Sequence, residues 1–495
     1  MVDQTDIDAL RHAPVPAQSL LIGGATRPAS DQATSPVISP IDGAQFTTLA
    51  EATPADVDAA VAAARQAFED GRWSRMAPAA RKRVMHRWAD LIEANALPLA
   101  VLGVRDNGTE IGMALKAEPG SAAATIRFYA EAIDKVGGEI APSPDDVVAL
   151  VHREPVGVVG AIVPWNFPMM IGAWKLGPAL AFGNSVVLKP PETASLTLLR
   201  MAELALEAGL PEGVLNVVTG QGPVVGEAIG LHPDIDVLAF TGSGATGRRL
   251  LEYAARSNMK RCYLELGGKS PNVVFADAPD LDEAAKVAAF GIFRNSGQVC
   301  IAGSRLLVEA RIHHDFAARV VEIAQSMQVG DPLSLTSAIG AVHSAPQLAS
   351  NLSFVETAQA EGNTVLTGGS QIRAETGGYY MAPTVIDGVK PNDHAARKEA
   401  FGPILAVTPF QDLDDAIRIA NDSVFGLAGA VWTSNVSKAH IAAKRIKAGL
   451  MHVNTYGGSD VTVPMAGMKQ SGNGADKSLH AIDKYTDLKT VWMKL

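Results

Sequence analysis

Apolar and polar residues first fall into a regular pattern at residue 53. Thr53-Pro54-Ala55-Asp56 is built to open a helix: Thr53 caps, Pro54 suits the first helical position and Asp56 supplies the acid of a capping box. Val57, Val61, Ala64 and Phe68 then recur at helical spacing. A second helix is expected over 78–95, with Val84, Trp88, Leu91 and Ile92 on one face and Arg81-Lys82-Arg83 in solvent. Residues 1–50 read as strands and turns, with turns at Gly23-Gly24 and Asp42-Gly43. The stretch 136–155 alternates through Val148-Ala149-Leu150-Val151-His152-Arg153 and predicts a strand arm.

From residue 157 short apolar strands alternate with helices. Strands are expected at 157–163, 185–189, 214–218 and 237–240. The helices between and after them fall at 172–182, 195–208, 224–231 and 248–255. Gly209 and Pro211 close the helix over 195–208. The rhythm resumes with strands at 261–266 and 272–275 and a helix opened by the capping box Asp280-Leu281-Asp282-Glu283. It continues to about residue 455, where an irregular glycine-rich region, 457–478, precedes a strand-like tail at 482–495. Apolar strands alternating with helices imply parallel sheets covered on both faces. The expected fold is α/β, with two doubly wound parallel-sheet domains and a small β element that joins 136–155 to the tail.

Composition narrows the function. With 42 Lys and Arg against 52 Asp and Glu, the net charge is -10, and no basic stripe suits a nucleic acid. The longest apolar region, 169–188, is broken by Lys175, Pro178 and glycines, so no membrane span is expected. Two cysteines and an acidic N-terminus without an apolar core region fit a reducing cytoplasm. The histidines are scattered, so no metal site is expected.

Five places carry candidate chemistry. Cys300 lies in a connecting segment, Asn295 to Gly303, with glycines on both sides. A buried thiol is the plainer reading of any single cysteine, and Cys262, inside the strand Arg261-Cys262-Tyr263, is assigned to the core. Gly242, Gly244 and Gly247 follow a strand and precede a helix, as a dinucleotide fingerprint does, or as an ordinary glycine turn does. Lys189 and Glu192 lie just past a strand end, where such sheets bind ligands; Glu192 is suited to ribose hydroxyls. Glu265 ends an apolar strand, where desolvation raises a carboxylate toward a useful base, or where it pairs with Lys269. Asn166 sits between two prolines in Pro164-Trp165-Asn166-Phe167-Pro168 with amide donors for an oxyanion.

Taken together, these segments resemble the aldehyde dehydrogenase superfamily over essentially the whole chain. The matching motifs are Pro164-Trp165-Asn166-Phe167-Pro168, Phe240-Thr241-Gly242-Ser243, Leu264-Glu265-Leu266-Gly267-Gly268-Lys269, Gly297-Gln298-Val299-Cys300 and Glu399-Ala400-Phe401-Gly402-Pro403. The resemblance implies a cofactor-binding domain of 1–135 with 156–266, a catalytic domain of 267–465, and oligomerisation strands at 136–155 and 480–495. It implies Cys300 as nucleophile, Asn166 with the Cys300 N–H as oxyanion hole, Glu265 as general base and Lys175 as a structural or proton-relay lysine. Lys189 and Glu192 would bind the adenosine ribose, Ser243 and Trp165 the pyrophosphate, and Glu399 and Phe401 the nicotinamide ribose and ring. Val163, Gly222, Phe240, Gly242 and Leu266 complete the cofactor set. NAD is expected, with NADP possible, because a 2′-phosphate would meet Glu192. Within the superfamily, segments such as Ser257 to Arg261 and Lys469 to His480 resemble bacterial γ-glutamyl-γ-aminobutyraldehyde dehydrogenases of putrescine breakdown. The implied substrate is an ω-amino or γ-glutamylamino aldehyde, in a tunnel lined by Phe167 and Trp174 with Asp460 at its mouth. A broad aliphatic specificity, a coenzyme-A-acylating enzyme and a silent scaffold are the alternatives. Met465 replaces an aromatic wall residue and Ala475 an arginine. The family forms homodimers and homotetramers.

Overall fold

The computed structural model describes residues 2–495. Two sheets carry the chain. The first has eight strands in the order Ala25–Arg27, Leu20–Ile22, Leu215–Val217, Ser185–Lys189, Val158–Ile162, Val237–Thr241, Arg261–Glu265 and Gly472–Asn473. Its centre is parallel, and its two edges are antiparallel. After Val158–Ile162 the chain builds outward through Ser185–Lys189 and Leu215–Val217. It then returns to place Val237–Thr241 on the other flank of the same strand. That reversal opens a crevice beyond the strand ends, the place where open α/β sheets bind ligands.

The second sheet has seven strands, ordered Thr364–Thr367, Thr384–Asp387, Ile404–Phe410, Arg305–Glu309, Pro271–Val274, Ala428–Trp432 and Leu450–Val453. All pair in parallel except Thr364–Thr367. A third, small sheet pairs the tail Thr486–Lys494 antiparallel to Val147–Pro155 over their whole length, with Glu139–Ala141 on the far side.

Three differences from the sequence reading have simple causes. A helix, Gln4–Arg11, stands where only strands and turns were expected; it is capped by Asp3 and buries Ile7 alone, too little apolar period to register. The helix over 224–231 is split into a π-turn, Gly222–Gly226, and a short helix, Glu227–Leu231. The helix expected at 248–255 begins at Gly244, because the Ser243 hydroxyl caps it by accepting from the Thr246 N–H at 3.2 Å. No helix among the described residues is long and apolar enough to cross a membrane.

Candidate active site

Three cavities run into one another around Cys300. The first, about 350 Å³, opens at the sheet reversal between Val163-Pro164-Trp165 and Thr241-Gly242-Ser243, and includes Lys189, Glu192 and Gly222. The second, about 220 Å³, shares Trp165 and Ser243 with it and reaches Asn166, Leu266, Glu399, Phe401 and Cys300. The third, about 180 Å³, lies beyond Cys300 and is walled by Phe167, Trp174 and Met465. Cys300 stands in the wall between the second and third.

The first cavity fits a dinucleotide by its donors and its bare backbone. The N–H groups of Gly244 and Ala245 have no protein acceptor at the start of a thirteen-residue helix, where an anion is favoured. Glu192 Oε1 accepts from the Gly222 N–H at 2.5 Å and meets Lys189 Nζ at 3.3 Å. A Cβ on Gly242 would lie 2.5 Å from the Phe240 ring, so this backbone passes close to its own strand. Phe240 is itself in the lining. Trp165 stacks on His343 with ring centroids 4.1 Å apart and meets the Phe401 ring edge-on at 5.2 Å. Burial holds His343 down to about 3, so it packs as a neutral ring.

The segment leading to Cys300 is strained and tied down. Asn295, Ser296 and Gly297 are three successive residues with φ of 49°, 51° and 73°, a conformation costing of order 1–3 kcal/mol for each non-glycine. Four contacts fix it. The Asn295 N–H donates to Glu110 Oε1 at 3.0 Å, and Thr109 Oγ1 donates to Asn295 Oδ1 at 2.8 Å. Ser296 Oγ donates to the Gly340 carbonyl, and the His343 N–H donates to Gln298 Oε1. A Cβ on Gly297 would fall 1.9 Å from the Gly402 carbonyl oxygen, so no other residue fits. Burial pushes the Cys300 thiol up to about 12, helped by Glu399 and Glu265.

Asn166 is placed by the strand that ends at Ile162 and by the helix Pro168–Ala181. That helix takes its cap from elsewhere: Glu118 Oε2 accepts from the N–H groups of Met169 and Met170 at 2.7 and 3.2 Å. Asn166 Nδ2 gives one hydrogen to the Gln298 carbonyl at 2.9 Å, which leaves its second hydrogen and the Cys300 N–H without protein acceptors.

Glu265 is buried, and neither carboxylate oxygen has a hydrogen-bond partner. Burial first, and the Asp476 charge second, hold it well above the usual carboxylate range, against Lys484 and Lys175. Asp476 is gripped on both oxygens, by Lys175 Nζ at 2.9 Å and by Lys484 Nζ. These two lysines outweigh burial and keep Asp476 below its ordinary value. Lys269, the alternative partner for Glu265, lies instead over the Phe354 ring, 5.3 Å from its centroid. Burial and Arg305 bring Lys269 down to about 7, with Glu399 opposing. Glu399 accepts from the Gly268 N–H at 3.0 Å and is itself raised to about 7 by burial.

The structure thus brings together every expected site residue except one. Asp460 is exposed, accepts from the Thr462 N–H at 2.9 Å and stands outside the third cavity, although Ser459 and Val461 line it. Glu265 and Lys175 lie behind the lining, not in it. Thr109, Glu110, Glu118, Asp476 and Lys484 were missed. Apart from Lys484, eight residues from Asp476, they have partners far away in the chain, and only Asp476 had a signal, as an acid within the segment Lys469 to His480.

A crevice at a sheet reversal, with the donors for a dinucleotide, opens onto a thiol with an amide donor and a raised carboxylate nearby. The chain belongs to the aldehyde dehydrogenase family, whose pattern matches residues 27–491. It is 49% identical over 476 residues to the NADP/NAD-dependent aldehyde dehydrogenase PuuC of Escherichia coli, covering 96% of this chain and 95% of that protein. Its fold superposes with TM-score 0.98 on γ-glutamyl-γ-aminobutyraldehyde dehydrogenase from Burkholderia cenocepacia J2315, at 49% identity and over 100% of both chains. The same score and coverage, at 48% identity, hold for an indole-3-acetaldehyde dehydrogenase in complex with NAD+. The protein is an NAD(P)-dependent aldehyde dehydrogenase.

Proposed function

We propose that this protein oxidises an ω-amino or γ-glutamylamino aldehyde to its acid, as the names of a γ-glutamyl-γ-aminobutyraldehyde dehydrogenase and an aminoacetaldehyde dehydrogenase among its relatives suggest. The observation that carries the reading is the position of Cys300 in the wall shared by the crevice and the tunnel. The Cys300 thiol gives its proton to a water of the cavity, its sulfur adds to the aldehyde carbon, and the second Asn166 Nδ2 hydrogen and the Cys300 N–H hold the oxyanion. NAD(P)+ supplies the hydride acceptor when bound. Glu192 and Lys189 hold its adenosine ribose, with Val163 and Gly222 beside them. Ser243 and Trp165 hold its phosphates against Phe240 and Gly242, and Glu399, Phe401 and Leu266 hold its nicotinamide end. The thioester left on Cys300 is hydrolysed by a water that Glu265 deprotonates. Glu265 turns toward the cavity to do so, and it has no hydrogen bond to give up. Lys175 positions Asp476 behind it. Phe167, Trp174 and Met465 form the apolar wall.

The test is reduction of NAD+ by 4-aminobutanal and its γ-glutamyl amide under steady-state conditions; failure of both to outrun simple alkanals of equal length would refute this substrate class. In the same assay NAD+ is expected to outperform NADP+, and Glu192→Gln to narrow the gap by relieving repulsion of a 2′-phosphate. Lys484→Met should move the acid limb of turnover to higher pH. The sign follows from charge: the base works when ionised, and removing a cation beside Glu265 raises its pKa further. A limb that stays in place would dismiss Lys484 from this role.

The division into a cofactor-binding domain, 1–135 with 156–266, and a catalytic domain, 267–465, is part of this reading; the change of sheet between Arg261–Glu265 and Pro271–Val274 supports it. The small sheet supports a homodimer or homotetramer. Trp492, Leu488 and Ile140 are 63%, 62% and 80% exposed on it, and the tail strand has a free edge. The absence of a membrane or nucleic-acid partner and a cytoplasmic location complete the reading.

A further inference from the structure

The tunnel beyond Cys300 holds two cationic side chains in its lining, Arg294 and Lys477, and no carboxylate. Arg294 follows the helix Leu281–Phe293 and precedes the strained turn to Cys300. Its Nε is buried without a hydrogen-bond partner. Glu110 is the one carboxylate that acts on it electrostatically, and it lies beyond salt-bridge distance, its Oε1 already engaged by the Asn295 N–H. Lys477 donates to the carbonyl and the hydroxyl of Ser459, each at 2.8 Å, and lies 5.7 Å over the Trp174 ring. Of the two acids whose charge reaches Lys477, Asp460 is turned to solvent and Asp476 is taken up by Lys175 and Lys484. An arginine Nε buried without an acceptor is costly, and a carboxylate is the group the guanidinium fork fits best. The remaining walls, among them Met113, Phe167, Met170 and Val461, suit a methylene stem.

Building on the proposed substrate class, we infer that the tunnel selects aldehydes whose far end carries a carboxylate, held by Arg294 with Lys477 beside it, and rejects those ending in a free ammonium. Among amino aldehydes this favours one acylated by an acid-bearing group over the bare amine: a γ-glutamyl end offers Arg294 a carboxylate beside its own α-ammonium, whereas the bare amine offers an ammonium alone. Asp460, expected at the tunnel mouth, has no part in it.

The test is kcat/KM for three straight-chain aldehydes of equal length ending in carboxylate, methyl and ammonium. The carboxylate is expected to lead the methyl by about tenfold or more, with the ammonium last, as for a site whose polar group is left unpaired by the wrong substrate. Arg294→Leu should erase the lead of the carboxylate over the methyl, and Arg294→Lys should keep part of it. The ranking in the unaltered enzyme decides the matter even if the leucine variant does not fold. An ammonium-ended aldehyde in first place, or a carboxylate lead that survives Arg294→Leu, overturns the inference. Turnover of the methyl-ended aldehyde without a carboxylate preference sinks this inference alone; no turnover of any of the three sinks the reading on which it rests.

Discussion

Cys300→Ala is expected to abolish aldehyde oxidation, and Glu265→Gln to stop it one step later. With Cys300 gone the tunnel wall holds no thiol to add to the aldehyde carbon beside the cofactor crevice, so not even a first turnover should reduce cofactor. With Glu265→Gln the thiol still adds and hydride still leaves. One equivalent of reduced cofactor per active site should appear in a burst, followed by steady turnover lowered about 10²–10⁴-fold, the usual worth of a positioned base. Rapid-mixing absorbance of the reduced nicotinamide distinguishes the two. Full steady-state turnover in Glu265→Gln would remove Glu265 from hydrolysis and reopen transfer of the acyl group to a thiol such as coenzyme A.

The second large effect is on stability. Asp476→Leu should cost about 3–5 kcal/mol, because it breaks a buried pair and leaves charge unpaired. Here it strands two lysines, Lys175 and Lys484, both buried. Denaturant unfolding followed by tryptophan fluorescence measures it; a loss below about 1 kcal/mol, the scale of exposed ion pairs, would contradict this account. The pH dependence has a definite sign. Asp476 in the folded protein lies below its ordinary value of 3.8. Its contribution is therefore complete above that value and is lost as pH falls through the lowered one.

The sequence showed the strands of the cofactor crevice almost to the residue, because each is a short apolar run bounded by turn formers. Ser185–Lys189 is one case and Val237–Thr241 another. It also showed the chemistry-bearing side chains, since Cys300, Glu265 and Asn166 lie in compact local motifs. What it hid is everything held by distance. Glu118 caps a helix 51 residues away, and Glu110 fixes a turn 185 residues away. No periodicity marks a carboxylate whose partner is a backbone N–H elsewhere. The placement of Asp460 failed for a related reason. A polar residue beside tunnel residues points either inward or outward, and here the Thr462 N–H turns it out. Arg294 was passed over because a lone arginine after a helix is ordinarily solvated; its burial depends on the fold.

The grip of Lys175 on Asp476 spans 301 residues. Synthesis proceeds from the N-terminus, so Lys175, in a helix buried almost throughout, exists long before its counter-charge does. The same late segment supplies Lys484 and the strand Thr486–Lys494 that pairs with Val147–Pro155. A ribosome-bound chain can therefore carry the nucleophile and the cofactor crevice while its centre still holds an uncompensated lysine. Commitment to the native state waits on this late segment, and a chain truncated before it forfeits the charge balance behind Glu265 together with its outer sheet.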